Sequence, residues 1–317
     1  MKNKILIIFG TRPEFLKLYP LIIALKKKKF KFDILNTGQH FELIKDQNFF
    51  MKNLKYKNLN LMNKAKNLDE LFFIIQKKVS IYLKKKKPDL IVVQGDTTTA
   101  VASAIAAAYN KIKIAHIEAG LRTFDISNPF PEELNRLLIS KIANYHFAPT
   151  YTAYKNLINE NVEKKKIFIT GNTVVDLIRI NKKYIKNNNY NNVLCTIHRR
   201  ENFGKNLRII CKNIEYLSKK FPKLNFKFVA HPNQNIKKFL PKYIKSTKNL
   251  TIISPLNFLD TLNYIFSAKA IITDSGGIQE EVTTLNKYCL VVRKKTERIE
   301  SIKSKNCILT DLKRKNF

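Results

Sequence analysis

Short apolar runs closed by a glycine recur through the first half of the chain. KILIIFG, FDILNTG, LIVVQG, KIAHIEAG and KIFITG each read as a buried strand ending in a turn. Between them, residues 13–29, 68–85, 98–109 and 132–142 carry apolar positions at helical spacing and predict amphipathic helices. Strand, turn and helix repeated in this order predict a parallel sheet with helices on both faces. The second half repeats the grammar. Strands are expected at 193–197, 226–230, 250–253, 271–272 and 290–292, with a helix at 207–220. Residues 181–192 are rich in Asn and Lys and read as a linker or exposed loop. The boundary is expected near Gly171, giving domains 1–171 and 172–317, and a length of 317 residues suits two domains.

Composition narrows the class. With 44% hydrophobic residues the chain can bury sizeable cores. Cys195, Cys211, Cys289 and Cys307 are scattered without a CxxC pair, which argues against a zinc module or disulfide scaffold and fits a reducing cytoplasm. The opening MKNKILIIFG reads as a first strand rather than a signal peptide, and no apolar stretch approaches the ~18 residues of a membrane helix. The formal net charge is +35. Its excess is lysine, in runs such as 26–29, 84–87 and 164–166 at the ends of helical patterns, without interleaved aromatics. Solvated lysine faces are therefore favoured over a nucleic-acid surface, although the charge should attract anionic substrates. Arginine is scarce and concentrated in motif segments, at Arg12, Arg122, Arg136, Arg199, Arg200 and Arg298. Its planar fork suits phosphate and carboxylate contacts.

Ligands of open parallel sheets bind outside the carboxyl ends of strands. The eight glycines mostly mark those ends, so the polar residues beside them are the candidates. Thr273-Asp274-Ser275-Gly276-Gly277 lies between a strand and a helix start, with N-cap residue types and a glycine pair. That arrangement is an anion site or a plain turn. Gly10-Thr11-Arg12-Pro13-Glu14 with Lys17 reads either as cations facing a ligand or as a capped helix with surface charges. Asp96, after Gly95, is a general base or an N-cap. Strand alternation puts His116 and Glu118 on one face, and Glu132 and Arg136 are helical i,i+4 neighbours. Asp96, Glu118 and Glu132 near one sheet edge form a crowded set suited to acid–base work. His198, among Arg199, Arg200 and Glu201, is a titratable donor among cations, whereas His231 reads slightly better as a loop histidine. Arg298 lies past a strand, within reach of a phosphate or sugar.

Taken together these segments are more specific than any one. GTRPE, QGDTTT, HIEAGLRT, NPFPEELNR, TGNTVVD, HRRENFG, HPNQN, TDSGGIQEE and TER occur in this order, and from about residue 4 to residue 300 the chain resembles the non-hydrolysing UDP-N-acetylglucosamine 2-epimerases. The resemblance implies an α/β fold of two Rossmann-like domains with parallel sheets, glycosyltransferase-B-like, with the active site in the interdomain cleft. It implies a homodimer acting on a UDP-sugar with neither metal nor cofactor. UDP would leave across C1–C2 to give a glycal and return with the opposite C2 configuration, supplying surface-polysaccharide precursors. By motif position, Asp96, Glu118 and Glu132 match the acid–base carboxylates, with base and acid unassigned. His198, Arg12, Lys17 and Arg136 match residues around the sugar and diphosphate, and His231 a histidine near the nucleotide. Ser275, Gly276 and Gly277 match the phosphate turn, Glu281 a nucleotide contact and Arg298 a cleft arginine. Nearby alternatives are epimerisation of a modified UDP-sugar, such as a diacetamido-uronic acid, or glycosyl transfer on the same fold. The chain departs from the pattern at Asn286-Lys287-Tyr288, at Thr261, at 39–42, and in stopping at Phe317 where members usually run on through a further helix.

Overall fold

The computed structural model describes residues 4–39, 50, 54–61, 65–185, 191–199, 202–230, 240, 242–244, 247–293 and 296–310. The chain divides into two compact units, Met1–Leu177 and Ile178–Phe317.

The first unit runs β1 (Ile5–Phe9), α1 (Arg12–Lys27), β2 (Phe32–Asn36), β3 (Lys57–Asn58), α2 (Leu68–Lys86), β4 (Leu90–Gln94), α3 (Thr98–Tyr109), β5 (Lys113–Ile117), α4 (Glu132–Ile142), β6 (Tyr145–Ala148), α5 (Tyr151–Asn159) and β7 (Ile167–Ile169), and α6 (Thr173–Asn181) leads out of it. All its strands are parallel, in the order β3-β2-β1-β4-β5-β6-β7. Strand order therefore reverses between β1 and β4, the topological switch point where doubly wound sheets take ligands. Leu6, Ile7, Ile8 and Phe9 are all buried, as a sheet covered on both faces requires. Leu6 and Ile8 share a core with α2 and α3, whereas Phe9 meets Phe15 of α1 at 5.1 Å between ring centroids.

The second unit contains β8 (Asn192–Thr196), α7 (Lys205–Lys220), β9 (Asn225–Val229), β10 (Leu250–Ile253), α8 (Phe258–Ser267), β11 (Ala268–Thr273), α9 (Gly276–Thr284), β12 (Cys289–Val292), α10 (Ile299–Lys303) and β13 (Cys307–Thr310). Its parallel strands run β10-β9-β8-β11-β12-β13, with the switch point between β8 and β11. Val193, Cys195 and Ile197 pack against Leu207, Ile210 and Ile214 of α7. Leu194 and Ile271 belong to a second core with Ile265 of α8 and Val282 of α9.

Three expectations are corrected. Helix α3 has no broad polar face: Thr98 to Ser103 are all buried, with Ala104, Ala106 and Ala107. Its small residues let it pack between α2 and α4, so helical periodicity there reports backbone geometry rather than a solvent boundary. The strand expected at 271–272 extends over Ala268–Thr273, with a register shift between Ala268 and Ala270. At the described ends of the polar stretch 181–192, the chain is also less loop-like than its composition implies. Asn181 is the buried last residue of α6, Lys182–Tyr184 form a 3-10 turn, and Asn192 opens β8.

Lysines close α1 and α2, at Lys26 and Lys27 and at Lys84 to Lys86, where cations oppose the negative helix end. The four cysteines are free and buried. Among the described residues, no helix is long and apolar enough to cross a membrane, and no group of three or more His, Cys, Asp or Glu could hold a metal ion.

Candidate active site

At the first switch point, the turn after β1 is closed by a capping box. Thr11 caps α1 through Glu14 N at 3.4 Å, and Pro13 sits in the first helical turn. Glu14 Oε2 accepts from Gly10 N at 3.0 Å and Thr11 N at 2.8 Å, and its Oε1 accepts from Thr97 Oγ1 at 2.7 Å. Gly10 has no room for a side chain, since a Cβ would lie 2.1 Å from Thr99 Oγ1 and 2.4 Å from Thr37 Oγ1. Burial pushes the Glu14 carboxyl up to about 7, against the pull of its hydrogen bonds. Arg12, the first residue of α1, is half-buried.

Lys17, one turn further and buried, donates to Glu118 Oε2 at 2.5 Å, and Gln94 Nε2 donates to the same oxygen at 2.7 Å. Glu118 is thus held from α1 and from the end of β4. It lies beyond β5 in a left-handed conformation, with φ of 65°. The expectation that His116 and Glu118 share a strand face is therefore overturned, because the strand ends at Ile117 and the alternation ends with it. His116 stays in the sheet, with Nε2 against Gly95 O at 2.7 Å. Burial lowers its pKa to about 3, so it is a neutral brace for the Gly95 turn.

Asp96 follows Gly95 at the end of β4. It is not the N-cap of α3; Thr97 is, accepting from Ala100 N. Arg136 Nη2 donates to Asp96 Oδ2 at 2.5 Å, and Asn135 Nδ2 to Asp96 O at 2.8 Å, so α4 grips both the side chain and the backbone of Asp96. Arg136 is itself held by Glu133 Oε2 at 2.7 Å, whose Oε1 accepts from Thr123 N and Phe124 N. Glu132 opens α4, partly buried, beside this network. The unit thus brings Asp96, Glu118, Glu132, Arg12, Lys17 and Arg136 to the carboxyl ends of β1, β4 and β5. Arg122 is different. Its guanidinium, 2% exposed as a residue, forks onto Glu160 at 2.6 and 2.8 Å and reaches Ser140 at 3.1 Å, so it clasps the fold rather than a ligand.

At the second switch point Asp274 is fully buried. Its carboxylate accepts from His198 N, Arg199 N and Asn202 Nδ2 at 2.8 to 3.2 Å, and its carbonyl from Arg199 Nε at 3.1 Å. Asp274 therefore fastens the turn after β8 to the end of β11, and the N-cap of α9 is Ser275, accepting from Ile278 N at 3.4 Å. Behind Gly276, a Cβ would lie 2.9 Å from Glu297 Oε1, whereas at Gly277 the nearest atom is Ser275 Oγ at 3.8 Å. Arg298, placed by its sequence position within reach of a phosphate or sugar, is buried and meets Glu280 Oε1 at 2.6 Å and Glu297 Oε1 at 3.1 Å. Glu297 also takes Arg293 at 2.9 Å and Arg199 at 3.6 Å. This unit therefore gathers His198, Ser275, Gly276, Gly277 and Arg298 around the start of α9, with Glu281 half-buried further along that helix. His231 lies outside the described residues.

Sequence reasoning missed Glu14, Gln94, Glu133, Asp274 as a brace, Glu280 and Glu297. Only Glu14 had a readable signal, the Thr-x-x-Glu capping box.

Comparison with known proteins bears on the family. The sequence profile of the UDP-N-acetylglucosamine 2-epimerase family matches residues 23–317. The UDP-N-acetylglucosamine 2-epimerase of Campylobacter jejuni is 40% identical over 326 aligned positions, covering 96% of this chain and 85% of that one. The crystal structure of the UDP-GlcNAc 2-epimerase from Neisseria meningitidis bound to UDP-GlcNAc has a TM-score of 0.92 at 36% identity, covering 99% of this chain and 89% of that one. Acinetobacter baumannii MurG, at 13% identity and a TM-score of 0.56 over 98% of this chain and 86% of its own, shares the fold alone. Two parallel-sheet units of the glycosyltransferase-B-like kind, a profile match across most of the chain and this level of identity make it a member of the UDP-N-acetylglucosamine 2-epimerase family.

Proposed function

We propose that the protein interconverts UDP-N-acetylglucosamine and UDP-N-acetylmannosamine by inverting C2 of the sugar. The observation that carries this reading is the pair of ion-paired carboxylates at the ends of adjacent strands, Asp96 on Arg136 and Glu118 on Lys17. Removing a weakly acidic C–H proton needs a fixed carboxylate, and expelling a diphosphate needs fixed cations.

In the proposed reaction, a carboxylate among Asp96, Glu118 and Glu132 takes the C2 proton. The C–H electron pair forms the C1–C2 double bond of a glycal, and the C1–O bond breaks with its pair leaving on UDP. In the return step a diphosphate oxygen re-forms the bond to C1, and a second of these groups delivers a proton to the opposite face of C2. Atoms and charge balance without a redox cofactor. Arg12, Lys17 and Arg136 serve the sugar and the diphosphate from the first unit. The second supplies His198 and His231, the Ser275-Gly276-Gly277 turn for the diphosphate, Glu281 for the nucleoside and Arg298 to set the charge there. A helix N-terminus behind a glycine pair favours such an anion.

The reading extends to a cytoplasmic homodimer whose product feeds surface-polysaccharide synthesis. The exposed Phe73 and Ile81 of α2 are consistent with a self-association surface, and sedimentation at several concentrations tests it.

The deciding experiment is NMR of UDP-N-acetylglucosamine with the protein in D₂O. Deuterium should enter at C2 and the UDP-N-acetylmannosamine signals should grow. Running a panel of UDP-sugars beside it identifies a modified substrate, and absence of C2 exchange on every member of the panel removes the epimerase reading.

A further inference from the structure

The carboxylate of Glu14 spans two turns that carry different parts of the proposed machinery. One oxygen takes the backbone N–H groups of Gly10 and Thr11, immediately before Arg12. The other takes the hydroxyl of Thr97, immediately after Asp96. Glu14 is 1% exposed, so water does not compete for these bonds. Neighbouring contacts press the same turns together. Gln39 Oε1 accepts from Thr99 N at 3.1 Å and Thr99 Oγ1 at 2.9 Å, Thr37 and Thr99 hydroxyls meet at 2.8 Å, and the bare Cα of Gly10 lets the two turns close.

We propose that Glu14 is a positioning residue: its carboxylate is a spacer of fixed length that sets Arg12 against Asp96 across the β1–β4 switch point. It touches no reacting atom. The inference rests on the epimerase reading for its consequence in turnover, but the spacer itself is a property of the fold.

Length and charge can be separated. Glu14→Gln keeps the length: Oε1 can accept both backbone N–H groups while Nε2 donates to Thr97 Oγ1, which reverses the direction of that bond. Glu14→Asp keeps the charge but is one methylene too short to reach both turns. A base or an electrostatic group predicts the opposite order of damage.

The experiment measures kcat and KM for UDP-N-acetylglucosamine, and amide exchange at residues 95–99, in the wild type, Glu14→Gln and Glu14→Asp. Glu14→Asp should lose about a hundredfold in kcat, the scale of an ångström-sized misplacement. Its KM should stay within about threefold, because the misplaced groups act in the transition state. Exchange at 95–99 should quicken in the same variant. Glu14→Gln should restore both readouts to near the wild-type values. Loss of activity in Glu14→Gln with retention in Glu14→Asp overturns the proposal, as do equal effects of the two. If Glu14→Asp does not fold, Thr97→Val and Thr97→Ser take its place. Val removes the Thr97 limb together with the Ala100 cap and should quicken exchange at Gly10 and Thr11, across the switch point from α3, whereas Ser, which keeps both bonds, should not; no difference between them at Gly10 and Thr11 overturns the spacer. If the wild type turns over no UDP-sugar, the functional reading fails, and the spacer stands or falls on the exchange data alone.

Discussion

Arg136 holds Asp96 at 2.5 Å while Glu133, three residues earlier on the same helix, holds Arg136 at 2.7 Å. The Glu133 side chain is 1% exposed, so it depends on this guanidinium. Arg136→Ala should therefore lower stability by about 3 kcal/mol, because it strands a buried carboxylate. Asp96→Asn keeps the fold and should abolish C2 deuterium exchange. Urea denaturation of both variants, read beside the exchange assay, separates the structural partner from the chemical one.

The glycine pair that opens α9 makes two different demands. Gly276→Ala drives a methyl to 2.9 Å from Glu297 Oε1 and should lower both Tm and UDP affinity. Gly277→Ala meets nothing closer than 3.8 Å and should leave Tm unchanged. If the diphosphate lies against that backbone, calorimetric titration should still show UDP binding weakened by about tenfold or more in Gly277→Ala. Unchanged affinity would place the phosphate elsewhere.

Glu14 gives a pH signature. Its carboxyl titrates near 4.5 in the unfolded chain and near 7 in the native one. The native state holds the extra proton between these values, so the linked stability is complete below pH 4.5 and is lost as pH rises through 7. Relative to Glu14→Gln, which does not titrate, the wild type should lose roughly 3 kcal/mol between pH 4 and pH 8 and stay level above that. His116 and His146, whose pKa values burial lowers to about 3 and about 4, act in the opposite direction and cancel in the comparison. Paired urea titrations across that range provide the measurement.

Arg122 tests the distinction between a ligand arginine and a clasp. Arg122→Lys cannot reproduce the fork onto Glu160 and should cost about 2 kcal/mol of stability. KM for the UDP-sugar should not change. A raised KM without loss of stability would return Arg122 to the binding site.

What the sequence made legible follows the range of each interaction. Thr98–Tyr109, Glu132–Ile142 and Leu250–Ile253 have the bounds their local patterns predict. Of the short strands at the sheet edges, Lys57–Asn58 has no apolar position and Cys307–Thr310 is only four residues long, so neither shows a period. The candidate residues could be picked out because glycines and capping residues punctuate strand ends. Their partners were not, because Lys17 with Glu118 and Glu14 with Thr97 are joined across 101 and 83 residues, and nothing in local spacing encodes such pairs. The same limit explains Arg122 and Arg298. An arginine in a motif reads alike whether its fork meets a phosphate or a buried glutamate.

In each unit the turn after the sheet's first strand has two of its amides capped by a carboxylate of the protein: Glu14 on Gly10 and Thr11, Asp274 on His198 and Arg199. An amide engaged in this way is not offered to a bound anion. The backbone amides of one turn in each half are thus committed to scaffolding, and in the proposed reaction the neighbouring turn, Asp96 in one and Ser275 to Gly277 in the other, meets the substrate together with the side chains of Arg12 and His198. The division of labour also works within each half: a self-satisfied turn is what keeps its partner turn in place.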